Sequence, residues 1–337
     1  MRTSVYLLFL LAVLTGGTAC TLSSKLDKPA KQSIFMKRAT GFAYEVLVVM
    51  DKSAWQGEAG RLLNSQLTAS IPGLPQHEPM MRVTYAEPSQ FDGLLRYVRN
   101  IIQVRINESL YTKVSVQKEQ NRWATGQEVV TLNAPSSHLL VEYLTGQGDA
   151  LVGWLCEKER ERQTAYLEDS HSPLVAEKVK VRFHAQLYAP EEMSSYKDTT
   201  DFFWVTDHGV RGRTDFVVYS FPYVSERTFT LDYLVAMRDS ILRKQIPGAY
   251  PGSYMTTVKN LTPTYEAITK QGEYCGVVRG LWEMEGDMMG GPFVSHAHLD
   301  RKNQQIVVAE AFIYAPNTNK AKLIRRAEAS LQTFRWN

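Results

Sequence analysis

An α+β fold in two halves of similar size, with mixed or antiparallel sheets flanked by helices, is what this 337-residue sequence predicts. Three observations carry that expectation. Runs of β-formers such as Tyr44–Met50 and Ile306–Tyr314 are separated by helix-period stretches, so strand and helix alternate loosely along the chain. Asp169-Ser170-His171-Ser172-Pro173, near the midpoint, has the composition of a boundary. Val129-Val130 to Tyr143-Leu144 echoes Val217-Val218 to Tyr233-Leu234, which leaves a duplicated unit open. The expected organisation is a leader at residues 1–19, a tether at 20–40, an N-terminal half at 41–170 and a C-terminal half at 171–337.

Taken in order, Tyr44–Met50 is too continuously apolar to be half exposed and predicts a buried central strand. Ser53 with Gln56 three residues on matches a capping box, so a helix is expected from there to about Ala69. Pro72-Gly73-Leu74-Pro75 is a turn. A strand at Met81–Tyr85 and a helix opened by Pro88-Ser89 and running to Val98 come next, followed by strands at Ile101–Ile106, around Val114 and Val116, and at Val129–Leu132. Pro135-Ser136-Ser137 starts a helix that Gly146 and Gly148 interrupt, and a longer helix covers Asp149 to Glu168. Its Glu157-Lys158-Glu159-Arg160-Glu161-Arg162 run has the balanced signs of a solvated face.

In the second half, Val179, Val181, Phe183, Ala185 and Leu187 alternate with Lys180, Arg182, His184 and Gln186, predicting a strand with one wet face. Phe202–Val205 and Phe216–Phe221 read as a hairpin, and Leu231–Lys244 as a helix. Beyond Pro247–Gly252 the chain turns mostly to sheet, at Tyr254–Val258, Gly276–Met284, Phe293–His298 and Ile306–Tyr314. A final helix places Leu323, Ile324, Ala327, Leu331 and Phe334 on one stripe.

The first twenty residues predict location. Arg2, the apolar run Val5–Leu14 and the small residues Gly16-Gly17-Thr18-Ala19 make a secretory leader, too short to cross about 30 Å of hydrocarbon. Small residues directly before Cys20 resemble a bacterial lipoprotein signal, so Cys20 is the expected lipid anchor. At about 0.8 kcal/mol per buried CH₂, two or three acyl chains hold a protein stably to a membrane. Cleavage after residue 19 would leave 318 of the 337 residues and, with Arg2 gone, reduce the formal charge from +3 to +2. That balance, without a clustered basic face, predicts no nucleic-acid partner. Cys156 and Cys275 have two open fates. A disulfide would close a loop of over a hundred residues, worth about 4–5 kcal/mol in the chain-entropy view, whereas their apolar contexts suit two separate buried thiols equally.

Several segments carry a family resemblance: Tyr44–Asp51, Pro72–Gln76, Arg99-Asn100-Ile101, Phe229–Leu234, Gly252–Thr257, Gly280-Leu281-Trp282 and Gly286–Val294. Together they resemble an uncharacterised family of Bacteroidetes lipoproteins known only as a domain of unknown function. The resemblance implies an envelope lipoprotein and supplies no activity or catalytic residue. Thr21-Leu22-Ser23-Ser24-Lys25 lacks the acidic cluster that, in such lipoproteins, directs surface display, so the expected place is the outer membrane, facing the periplasm.

Localised chemistry is concentrated in Ser295-His296-Ala297-His298-Leu299-Asp300. On a strand, His296, His298 and Asp300 share one face and could converge on zinc or another divalent ion, whose bound water would be a hydrolytic nucleophile. The plainer reading is a strand with two histidines and Asp300 opening a turn. Asp51 sits where open α/β sheets place ligands, although with Ser53 it also suits helix capping. Gly286–Pro292 has the glycines of a tight hairpin and lacks the Lys-Ser/Thr of a phosphate loop. No Gly-x-Ser-x-Gly or Cys-x-x-Cys is present. The expectation is a non-enzymatic binding or scaffold component of outer-membrane biogenesis or maintenance, with an envelope protein partner and no cofactor. The alternatives are a metal-assisted periplasmic hydrolase and a small-molecule binder with its site between the halves.

Overall fold

The computed structural model describes residues 36–337 apart from Arg211 and Gln271, so the expected leader, the Cys20 anchor and most of the tether lie outside the described residues. Apolar strands build the first sheet from β1 (Glu45–Val49), β2 (Arg82–Ala86), β3 (Asn100–Ile106), β4 (Ser115–Gln120) and β5 (Glu128–Ala134). Their order is β2-β1-β3-β5-β4, parallel except for the antiparallel edge strand β4. β1, β3 and β5 carry apolar residues on both faces because both are covered. Val46, Val48, Ile102 and Val130 pack under helices, and Leu47, Val49, Ile101 and Val129 pack under Phe91, Leu95 and Trp123.

The helices of this half depart from expectation in instructive ways. The stretch Ser53–Ala69 is two helices, α1 (Lys52–Gln56) and α2 (Glu58–Leu67), broken at Gly57. Asp51 holds the N-cap position without a side-chain cap bond and Ser53 lies inside α1, so the capping box is absent. The helix expected at Pro88–Val98 is two 3₁₀ turns, Pro88–Gln90 and Gly93–Tyr97, with Gly93 at φ +47° between them. By contrast Gly146 and Gly148 interrupt nothing: α3 (Ser137–Asp169) is a continuous helix whose N-cap Ser136 accepts from the Leu139 amide. Gly148 is there for close approach. A Cβ at that position would fall 2.0 Å from Gln66 Oε1, and Gln66 Nε2 donates to the Leu144 carbonyl at 2.8 Å.

The charged run of α3 is also more than a solvated face. Glu159 is fully buried and accepts from Arg99 at 2.7 Å, Arg162 at 2.6 Å and Asn100 Nδ2 at 2.6 Å, while Asn100 Oδ1 accepts from Arg162 at 2.9 Å. Counting residues along the helix cannot show that Arg99, just before β3, and Arg162 of α3 converge on one position.

The second half opens with the largest correction. Alternation predicted a strand at Val179–Leu187, yet Pro173–Phe183 is helix α4. Val175, Val179 and Phe183, four apart, are its buried face, and Val181 is 71 % exposed. Pro173 at the first turn pre-sets the helical φ, and His184 ends the helix in the left-handed region (φ 52°). Only β6 (Ala185–Gln186) is strand there, paired with the C-terminal β15 (Arg335–Trp336).

The remaining strands are β7 (Ser195–Thr199), β8 (Phe202–Thr206), β9 (Arg213–Pro222), β10 (Tyr254–Thr257), β11 (Thr264–Lys270), β12 (Glu273–Glu285), β13 (Gly290–Asp300) and β14 (Gln305–Tyr314). They form an antiparallel sheet ordered β10-β12-β13-β14-β9-β8-β7, with β11 also on β12. One face, including Val205, Phe216, Val294 and Val307, packs under α4 and α6 (Ala321–Gln332). The other, including Tyr219, Trp282, Phe293 and Phe312, packs under α5 (Leu231–Gln245). The expected glycine-rich hairpin joins β12 to β13, with Gly286 at φ +81°. A parallel-cored sheet in one half and an antiparallel one in the other mean that the halves are not copies of one unit.

α6 is the shared element. It has no side-chain cap of its own, and Glu78 from the first half accepts from the Lys320 and Ala321 amides at 2.7 and 2.8 Å. Arg325 donates to the Met80 carbonyl at 2.7 Å, and Thr164 of α3 to the Ala329 carbonyl at 3.3 Å. No helix among the described residues is long and apolar enough to cross a membrane.

The Glu159 cluster generates a stability prediction. Glu159→Ala strands two cations, and because Arg99 and Arg162 keep some contact with water, the loss is expected near the low end for a broken buried pair, about 3 kcal/mol. Glu161→Ala, on the exposed side of α3, should cost less than about 0.5 kcal/mol. Urea denaturation of both variants checks the difference.

Candidate functional site

The sequence-predicted histidines lie on β13, and the register of its neighbour decides what meets them. Cys275 of β12 stands directly opposite His298, and Val277 opposite His296. Side chains two apart on a strand share a face, so His296 and His298 both point to the side occupied by α4 and α6, as does Cys275. The thiol and imidazole donor atoms of these three residues all lie within 4.8 Å of one another, with Cys275 Sγ 3.9 Å from His298 Nε2. Phe334, just after α6, stacks on His298 with centroids 4.1 Å apart and an interplanar angle of 13°. His296 is fully buried, and neither ring nitrogen has a hydrogen-bond partner among the described residues.

Asp300, the third residue expected in this set, is not among the clustered donors. Its carboxylate accepts from the Asn303 amide at 3.1 Å, Asn303 Nδ2 at 2.7 Å and Gln305 Nε2 at 3.1 Å, closing the turn between β13 and β14. Burial works to raise its pKa, and these hydrogen bonds outweigh it and hold the carboxyl below its usual value. Cys275 was missed as a partner because spacing within one segment says nothing about the register of the next strand.

Electrostatically the cluster is an apolar enclosure. Burial holds both imidazoles well below their ordinary pKa, and the Lys270 ammonium adds to the effect. Burial likewise pushes the Cys275 thiol up to about 12, against the pull of Lys270. Lys270 itself is pushed down to about 8 by burial, and its Nζ donates to the Leu331 carbonyl at 2.8 Å. Cys275 is a free thiol, as is Cys156 on α3, whose Sγ lies 3.9 Å from Met81 Sδ, so the disulfide alternative is not realised.

A cleft of about 550 Å³ lies between the halves. Tyr44, Leu74, Met80, Cys156, Val294 and Ile324 supply an apolar wall, while Arg160, Arg279, Arg325 and Glu328 supply charge. Arg279 pairs with Glu328 and with Glu266, the latter at 3.2 Å. Among the described residues no carboxylate contacts Arg325 directly; its guanidinium lies 3.6 Å over the Tyr44 ring, with Glu328 acting on its charge from nearby. Gly153 of α3 opens on this cleft, and a Cβ there would meet nothing within 4 Å.

On the opposite face of the large sheet a charged network escaped sequence reasoning. Arg238 of α5 donates through Nε and Nη2 to Glu310 of β14 at 2.8–3.0 Å, and through Nη1 to Thr257 Oγ1 at 3.0 Å. Burial works against the Arg238 charge, and Glu310 outweighs it. The available signal was Glu310 itself, one carboxylate inside the otherwise apolar run Ile306–Tyr314. Two serine–histidine pairs also form, Ser70 Oγ with His77 Nδ1 at 2.6 Å and Ser195 Oγ with His208 Nε2 at 2.7 Å. Among the described residues no carboxylate engages either ring, so neither is a triad. Asp51 is exposed and stands apart from the cleft and from the cysteine–histidine cluster.

The fold and these sites define a two-half α+β protein of an uncharacterised kind. Residues 39–168 match the family described as domain of unknown function DUF8532, and residues 172–333 match domain of unknown function DUF4837. No curated protein matches the chain. Among solved structures, the Saccharomyces cerevisiae Ran-binding protein Mog1p is similar at 11 % identity over 45 % of this chain and 89 % of its own, with a TM-score of 0.27. A Bacteroides thetaiotaomicron VPI-5482 protein is similar at 13 % identity over 46 % of this chain and 45 % of its own, with a TM-score of 0.20. Likeness at that level identifies no shared function.

The neutral histidines set a pH dependence. The unfolded chain binds protons at His296 and His298 below about pH 6.5 and the native core does not, so stability is full above that value and falls as pH drops through it. The expected slope is up to about 1.4 kcal/mol per pH unit for each histidine. Lys270 contributes no slope in this window, because both states hold its proton below pH 8. Denaturant midpoints of the metal-stripped chain between pH 8 and 5.5 should show the fall, and His298→Gln should lessen its slope while His296 keeps the remainder.

Proposed function

We propose that this protein is a lipid-anchored component of the cell envelope, held through Cys20 to the outer membrane on its periplasmic side, and that it binds rather than catalyses. Its ligand is a small molecule with an apolar body and an anionic end, seated in the cleft between the halves, and the work is done together with an envelope protein. The observation that carries this reading is the cleft: its volume of about 550 Å³ is that of a small-molecule site, and Arg325, stacked on Tyr44 and bonded to the Met80 carbonyl, stands beside an apolar wall with no direct carboxylate contact among the described residues. Such a site takes the apolar body by burial and the anionic end by that guanidinium. A hydrolytic role for His296 and His298 finds no support, since a catalytic metal keeps an open position that substrate can reach and both rings are sealed in the core.

Anilinonaphthalene sulfonate, an apolar anion, tests the cleft. The wild-type chain should show saturable fluorescence enhancement. Gly153→Trp should fill the open space beside the cleft and weaken binding at least about tenfold, roughly 1.4 kcal/mol, without loss of fold. Arg325→Met should weaken this probe more than the uncharged phenylnaphthylamine. Equal binding by Gly153→Trp and wild type would sink the assignment. For the anchor, Cys20→Ala should move the protein from the membrane to the soluble fraction, and retention in the membrane would refute it.

A further inference from the structure

We propose that Cys275, His296 and His298 form a closed site for a thiophilic late first-row metal ion, zinc or copper(I). The inference is independent of the cleft and of any ligand there. Three donors from two adjacent strands lie within 4.8 Å of one another, with Cys275 and His298 held opposite each other by the β12–β13 ladder. Donors sharing one ion at about 2.3 Å for sulfur and about 2.0 Å for nitrogen stand about 3.5 Å apart, so closure needs only a small inward turn of the side chains. His296 supplies the second observation. A fully buried imidazole with both nitrogens unpartnered departs from the rule that buried polar groups are satisfied, and one of those nitrogens faces the other two donors.

The donor set decides the ion. One thiolate and two neutral imidazoles suit zinc or copper(I), and the absence of any carboxylate from the cluster among the described residues disfavours magnesium and calcium. On binding, the Cys275 S–H bond breaks, the proton leaves to solvent and the sulfur electron pair goes to the metal, with no change of oxidation state. The Phe334 stack fixes the His298 ring plane, so the ion would tie β12 and β13 to the chain end beyond α6. Burial of all three donors leaves substrate no path to the ion, so its role would be to hold the two strands together.

The full chain, purified without chelator, should contain about one zinc or copper per molecule by elemental analysis. After stripping, separate titrations with zinc and copper(I) distinguish the two ions. Cobalt(II) should give thiolate-to-metal charge-transfer absorption that Cys275→Ser abolishes and Asp300→Asn leaves unchanged. His296→Gln should lower the retained metal at least tenfold. Should the substituted chains fail to fold, the wild-type cobalt spectrum decides alone. Less than a tenth of an equivalent after exposure to both ions, no thiolate band in the wild type, or a band that persists in folded Cys275→Ser would overturn the site.

Discussion

The Glu78 carboxylate on the N-terminus of α6 is the contact on which the rest of the architecture leans. The last helix begins without a local cap, and its first free amides are satisfied by a side chain more than two hundred residues earlier, only 2 % exposed. A carboxylate there also meets the positive end of the helix dipole, so the interaction is electrostatic as well as hydrogen-bonded. With its start held this way, α6 lies between α3 and the large sheet. Its Ile324, Arg325 and Glu328 become one wall of the cleft, and the chain beyond it places Phe334 on His298. Cleft and cysteine–histidine cluster are thus two sides of one docked helix.

Two buried carboxylates, Glu159 and Glu310, are held in company. Glu159 has two arginines and an asparagine, and Glu310 has a guanidinium bonded through two nitrogens with Thr257 behind it. Neither arrangement is a strong source of stability, because desolvation offsets most of the attraction, but each strongly penalises any packing that separates the partners. Glu159 pins α3 to β3, and Arg238 pins α5 to β14. Against that pattern the fully satisfied carboxylates contrast with His296, which has no partner.

The two candidate sites differ in what can reach them. The cleft is open to solvent and combines an apolar wall with an arginine that no carboxylate contacts directly among the described residues, which suits reversible binding. The cysteine–histidine cluster is sealed beneath the helix and the Phe334 ring, so an ion bound there would exchange only when the fold opens. That difference in access, more than the residue types, separates a ligand site from a structural one.

What local pattern determined was the set of elements whose signal is complete within a few residues. The apolar strands Glu45–Val49 and Gln305–Tyr314, the glycine turn at Gly286 and the amphipathic stripe of α6 all follow from burial at period two or 3.6 and from backbone freedom. Where two periods coexist, tertiary contact chose. Val175, Val179 and Phe183 make a helix face as validly as Val179, Val181 and Phe183 make a strand face, and the core under the large sheet accepted the first. Glu159 looked solvated because its cations come from just before another strand as well as from its own helix, and Cys275 joined the histidines because register, not spacing, put it opposite His298. Local sequence fixes which face of an element is apolar. Which residues meet across two elements depends on pairing and docking, and that only the assembled structure decides.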